Sequence, residues 1–77
     1  MKNVYLITSH GCPPCKYVKK NWVKEIEKFA NVIEIPSTEF FNVVEYTPYF
    51  FQLNDDSEMI TLNSNSLAEL IKDITNE

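Results

Sequence analysis

Val4-Tyr5-Leu6-Ile7-Thr8-Ser9-His10-Gly11-Cys12-Pro13-Pro14-Cys15 is the stretch that decides how this chain folds. Val4 to Thr8 is apolar on both faces, with Val4 and Leu6 on one side and Tyr5 and Ile7 on the other. That pattern predicts a central strand covered by helices on both sides. Ser9-His10-Gly11 is a turn, and Gly11 is the only glycine. The position therefore calls for unusual backbone angles or a close approach. Cys12 and Cys15, the only cysteines, follow as a C-x-x-C that opens a helical run. A thiol at a helix start is easily ionised, and a second thiol one turn on can close a disulfide with it.

Downstream, the period becomes helical from Cys15 to Ala30. Cys15, Val18, Trp22, Ile26 and Phe29 form one apolar stripe. Val32 to Ile35 reads as a short strand stopped by Pro36, and Thr38 to Val44 as a short helix with Phe40, Phe41, Val43 and Val44 facing inward. Tyr49 to Leu53 and Glu58 to Leu62 read as a hairpin around the turn Asn54-Asp55-Asp56. Ser66 caps a last helix and, with Glu69, matches a capping box. Leu67, Leu70, Ile71 and Ile74 make its apolar face. The order is β-α-β-α-β-β-α, with a parallel, right-handed first βαβ unit. This predicts one α/β domain over residues 1–77, a four-stranded mixed sheet with helices on both faces.

The 77 residues carry a net charge of −4, unevenly distributed. Residues 1–31 hold six Lys and two Glu, whereas residues 32–77 hold one Lys and nine acids. With no Arg and a low isoelectric point, nucleic acid is not an expected partner. No run approaches the ~20 apolar residues of a membrane span, and the start of the chain does not read as a secretory signal. The expectation is a cytoplasmic protein. In that compartment a C-x-x-C reads as redox-active or metal-binding rather than as a staple.

Three features resemble the thioredoxin-fold superfamily: Cys12-Pro13-Pro14-Cys15 between the first strand and first helix, Thr47-Pro48 just before the third strand, and the element order. The resemblance covers nearly the whole chain and is similar to the small glutaredoxins and the short phage or bacterial thioredoxin-like proteins. It implies a monomeric protein-disulfide reductase with no cofactor beyond the redox-active disulfide itself. Cys12 would be the nucleophile and Cys15 the resolving thiol. Pro48 would be a cis-proline set against the disulfide, leaving the backbone of Thr47 free to pair with an extended substrate. Protein disulfides, ribonucleotide reductase among them, are the implied clients, with a thioredoxin reductase or glutathione as electron donor. Glutathione as co-substrate would use Lys16, Thr47, Pro48 and the turn Asn63–Asn65. The chain departs from both subfamilies at Gly11, where thioredoxins usually have Trp, and at Pro14, where glutaredoxins usually have an aromatic residue. Nor does Val4–Thr8 carry the buried acid usual in thioredoxins.

Other residues have two readings. Pro13 and Pro14 stiffen the loop and remove two potential N–H donors from the helix start. His10 is either an exposed turn residue or a cation beside the thiolate. Lys16, directly after Cys15, either acts on the local field or holds a substrate carboxylate. Lys16, Lys20, Lys24 and Lys28 recur on one helix face, either simply solvated or docking an acidic partner. Tyr17 either packs or edges a substrate groove. Non-catalytic alternatives also stand, above all a dimeric metal or iron–sulfur binder drawing Cys12 and Cys15 from each chain, since zinc usually wants four ligands.

Overall fold

A computed structural model describes residues 2–39 and 47–75. Its elements are β1 (Lys2–Thr8), α1 (Pro13–Asn21), α2 (Val23–Ile26), β2 (Ala30–Pro36), a 3₁₀ turn (Ser37–Glu39), β3 (Tyr49–Leu53), β4 (Met59–Thr61) and α3 (Leu67–Thr75). The four strands form one mixed sheet in the order β2-β1-β3-β4. β1 runs parallel to β2, with Val4 opposite Val32 and Leu6 opposite Glu34. It runs antiparallel to β3, with Leu6 opposite Phe50. β3 and β4 pair antiparallel as the expected hairpin. The architecture is α/β, as the sequence implied.

The alternation read in β1 decides what lies on each face. Val4 and Leu6 join Phe50 in a fully buried cluster with Val18, Ile26, Leu70 and Ile74, so α1, α2 and α3 all cover this one face. Burying each such side chain contributes roughly 1.5–3 kcal/mol. On the opposite face Ile7 and Phe51 are buried as well, and Tyr5 stacks on Phe51 with ring centroids 5.0 Å apart. The expected helix over Thr38–Val44 lies from Phe40 onward outside the described residues. Its first residues belong to the 3₁₀ turn.

Four expectations are corrected. The helical run does not continue unbroken from Cys15 to Ala30: it is interrupted at Trp22, whose φ of −102° departs from ideal helix. Here the Asn21 side chain donates to the Tyr17 carbonyl at 3.0 Å. Phe29 does not face the core but is 45% exposed. The amides of Lys28 and Phe29 bond three residues back, to Glu25 and Ile26, and this tightened turn swings Phe29 outward. Ala30 belongs to β2, which is longer than Val32–Ile35. Its pairing with Lys2 overrides alanine's helix preference, and Pro36 closes the strand on the sheet edge rather than lying beyond it. Finally, β4 is shorter than Glu58–Leu62.

Turn and cap chemistry follows the sequence. Gly11 has φ +69°, a left-handed conformation that a side chain disfavours. Asn54 Oδ1 accepts the N–H groups of Asp56 and Glu58 at 2.9 Å each and closes the hairpin, with Ser57 at φ 62°. Ser66 Oγ accepts the Glu69 N–H at 3.2 Å at the start of α3. Among the described residues no helix is long and apolar enough to cross a membrane.

Candidate active site

β1 delivers the chain to the Ser9–Gly11 turn, and Gly11 redirects it so that Cys12 caps α1. Cys12 is extended (φ −103°, ψ 101°), and its Sγ accepts the Cys15 N–H at 3.1 Å. The inner prolines explain why that particular donor is used. Pro13 and Pro14 occupy the first two helical positions and have no N–H, so the first helical amide available to the sulfur is that of Cys15. Cys12 and Cys15 form a disulfide, with Cα atoms 5.2 Å apart. The two ends differ in access: Cys12 is half-buried, whereas Cys15 is 2% exposed.

Thr47 and Pro48 face this disulfide across a cis peptide bond. Thr47 Oγ1 donates to Cys12 Sγ at 3.6 Å, and the Thr47 carbonyl oxygen lies 3.8 Å from the same sulfur. Behind them the Ser9 and Thr47 hydroxyls are hydrogen-bonded at 2.7 Å. If Ser9 donates there, the Thr47 proton is free to point at the sulfur, so the pair forms a short relay ending on Cys12.

The disulfide sits between two unlike walls. A polar cleft on one side is lined by His10, Cys12, Cys15, Lys16 and Lys19. An apolar groove of about 420 Å³ on the other is lined by Pro14, Tyr17, Trp22, Thr47, Pro48 and Ser64. His10, Lys16 and Pro13 are all exposed, and Pro13 lines neither depression. Lys16 thus lines the cleft rather than the groove lined by Thr47 and Pro48, with which the glutathione reading grouped it. In the expected Asn63–Asn65 turn only Ser64 lines the groove. The Asn63 N–H is taken by Asp73 Oδ2 at 2.8 Å and the Asn65 N–H by Asn63 Oδ1 at 3.0 Å. A broad concavity of about 570 Å³ lies at the far end of the sheet between Lys2 and the hairpin, and none of the candidate residues lines it.

The lysine face is less uniform than its spacing. Lys28 pairs with Glu25 at 2.8 Å and holds that carboxyl below its ordinary value. Lys16 and Lys20 have no ion pair among the described residues.

Sequence reasoning missed the role of Glu34. Its carboxylate accepts the hydroxyl of the buried Thr8 at 2.7 Å and meets Lys19 at 3.1 Å. Chiefly the Thr8 hydrogen bond holds Glu34 below the usual carboxylate range; burial opposes it, and Lys19 adds to the lowering. The signal that could have found it is the alternation of Val32, Glu34 and Pro36, which places Glu34 on the side of the sheet that faces α1. Trp22, expected only as a core residue, was also not foreseen as a groove wall.

No family model, curated protein or solved structure matches this chain.

Proposed function

We propose that this chain is a thioredoxin-fold dithiol–disulfide oxidoreductase that reduces protein disulfides. The observation that carries the reading is the unequal access of two bonded sulfurs at a helix start, the accessible one facing the backbone carbonyl that precedes a cis-proline. In the reduced protein, the Cys12 thiolate attacks a substrate disulfide. That bond breaks, one substrate sulfur leaves as a thiolate that takes up a proton, and a mixed disulfide to Cys12 forms. Cys15, deprotonated, then attacks the Cys12 sulfur and expels the second substrate thiolate. The protein is oxidised by two electrons to the Cys12–Cys15 disulfide, and the substrate is reduced to two thiols.

The Cys15 N–H and the Thr47 hydroxyl would steady negative charge on Cys12, and the Thr47 carbonyl would accept an N–H from an extended substrate. Two electron donors fit this chemistry, a dithiol reductase and glutathione. The placing of Lys16 on the cleft rather than the groove, and the occupied amides of Asn63 and Asn65, favour the dithiol reductase.

The deciding experiment is an insulin turbidity assay with dithiothreitol, comparing wild type with Cys12→Ser. Wild type is expected to shorten the lag and Cys12→Ser to match the uncatalysed control. Equal, slow precipitation with both proteins defeats the proposal. Recycling with thioredoxin reductase set against glutathione and its reductase then identifies the donor. Metal content of anaerobically purified protein tests the metal-binding alternative.

A further inference from the structure

From the two unlike walls of the site we infer that the preferred substrate is a cysteine-bearing polypeptide segment of mixed character, acidic on one side of its cysteine and aromatic on the other. This rests on the oxidoreductase reading and goes further by naming the substrate class. Lys16 lines the polar cleft directly beside both cysteines. Lys20 lies one turn further along α1, so the two ammonium groups share a face. Neither has an ion pair among the described residues. His10 flanks the same cleft, and the charge of Lys19 is already matched by Glu34. Among the described residues that line the two walls, the unmatched positive charge therefore lies on the cleft side. Across the disulfide, Tyr17 is 60% exposed and forms an apolar wall with Trp22, Pro14 and Pro48.

An extended segment pairing with the Thr47 backbone would cross from one wall to the other, with its cysteine over Cys12. Residues flanking that cysteine would then meet ammonium groups on one side and aromatic rings on the other. A basic segment would be repelled as it approached, so discrimination falls mainly on the rate of encounter.

The test uses the fully reduced full-length chain in single turnover, with acid quench and chromatographic separation of products. The substrates are disulfide-linked dimers of short peptides. One peptide has two aspartates on one flank of its cysteine and Phe on the other, a second has lysines for the aspartates, and a third has Ser for Phe. All are made in both orders. Each rate is divided by that with mercaptoethanol, which removes the intrinsic reactivity of each disulfide. At ~10 mM salt the acidic peptide in its better order is expected to react about tenfold faster than the basic one. Near 0.5 M salt, where charges beyond a few ångströms are screened, that ratio should shrink to about twofold. Replacing Phe by Ser should slow the acidic peptide several-fold. The Lys16→Glu/Lys20→Glu variant should invert the charge preference, and Lys16→Gln/Lys20→Gln should bring the ratio near one. Efficient reduction of insulin with no difference between acidic and basic peptides overturns this inference alone. No Cys12-dependent reaction with any disulfide overturns the proposed function together with it.

Discussion

Thr47 offers the sharpest test of the geometry around Cys12. Among the described residues three groups face that sulfur: the Cys15 N–H at 3.1 Å, the Thr47 hydroxyl at 3.6 Å and the Thr47 carbonyl oxygen at 3.8 Å. Thr47→Val removes only the hydroxyl, because the other two belong to the backbone. A hydrogen bond to a charged acceptor contributes ~1.5–3 kcal/mol, and the long contact here argues for the lower end. At 1.36 kcal/mol per unit, the midpoint of Cys12 alkylation should move up by about one pH unit. At neutral pH this slows alkylation by up to about tenfold. The assay is the rate of iodoacetamide modification of reduced protein across pH 4 to 10. Thr47→Ser keeps the hydroxyl and should retain the wild-type midpoint. Ser9→Ala removes the group that orients the Thr47 proton and should produce a smaller shift in the same direction. An unchanged midpoint in Thr47→Val would refute the idea that this hydroxyl supports the thiolate.

Three further outcomes are expected. Ser57→Gly should stabilise the fold by about 0.5–1 kcal/mol, because glycine relieves the left-handed conformation at a smaller entropic cost; a lowered melting temperature would contradict this. Glu34→Gln should be less stable than wild type near neutral pH, with the gap closing as pH falls. The folded-state value of Glu34 lies below its ordinary 4.5, so its contribution is present above that pH and fades as pH drops through the folded value. Urea titrations between pH 3 and 7 read this directly, and a gap that widens in acid would reverse the assignment. Phe50→Ala should cost ~3–5 kcal/mol, since Phe50 is 1% exposed and stacks on Trp22 at 6.2 Å. A loss below about 1 kcal/mol in the same titration would mean that this core is not close-packed.

What could be read in the sequence was local or repeated. The two-sided apolar run of β1, the αL glycine at Gly11, the Ser66 cap and the Tyr49–Leu53 strand each depend on chemistry within a few residues. What could not be read depends on distant partners. The helical stripe through Trp22 and Ile26 has no way of signalling that Ala30 will pair with Lys2, and that pairing ends the helix early and exposes Phe29. Glu34 read as an ordinary surface acid because its partners, Thr8 and Lys19, come from two other elements. At the site, Cys12, Cys15, Thr47 and Pro48 do come together. Lys16, His10 and Pro14 divide between two walls, a partition that spacing along one helix does not reveal.

The buried cluster that holds the sheet to its helices draws on β1, α1, α2, β2, β3 and α3, yet it contains neither sulfur. The covalent link between residues 12 and 15 spans a separation of only three residues. A loop so small restricts the denatured chain by roughly 2 kcal/mol, against about 3 for a loop of 15 residues. Opening the bond thus leaves most of the architecture's own cohesion intact. The scaffold's cohesion therefore does not rest on that bond, and reduction of the pair is expected to leave the fold in place.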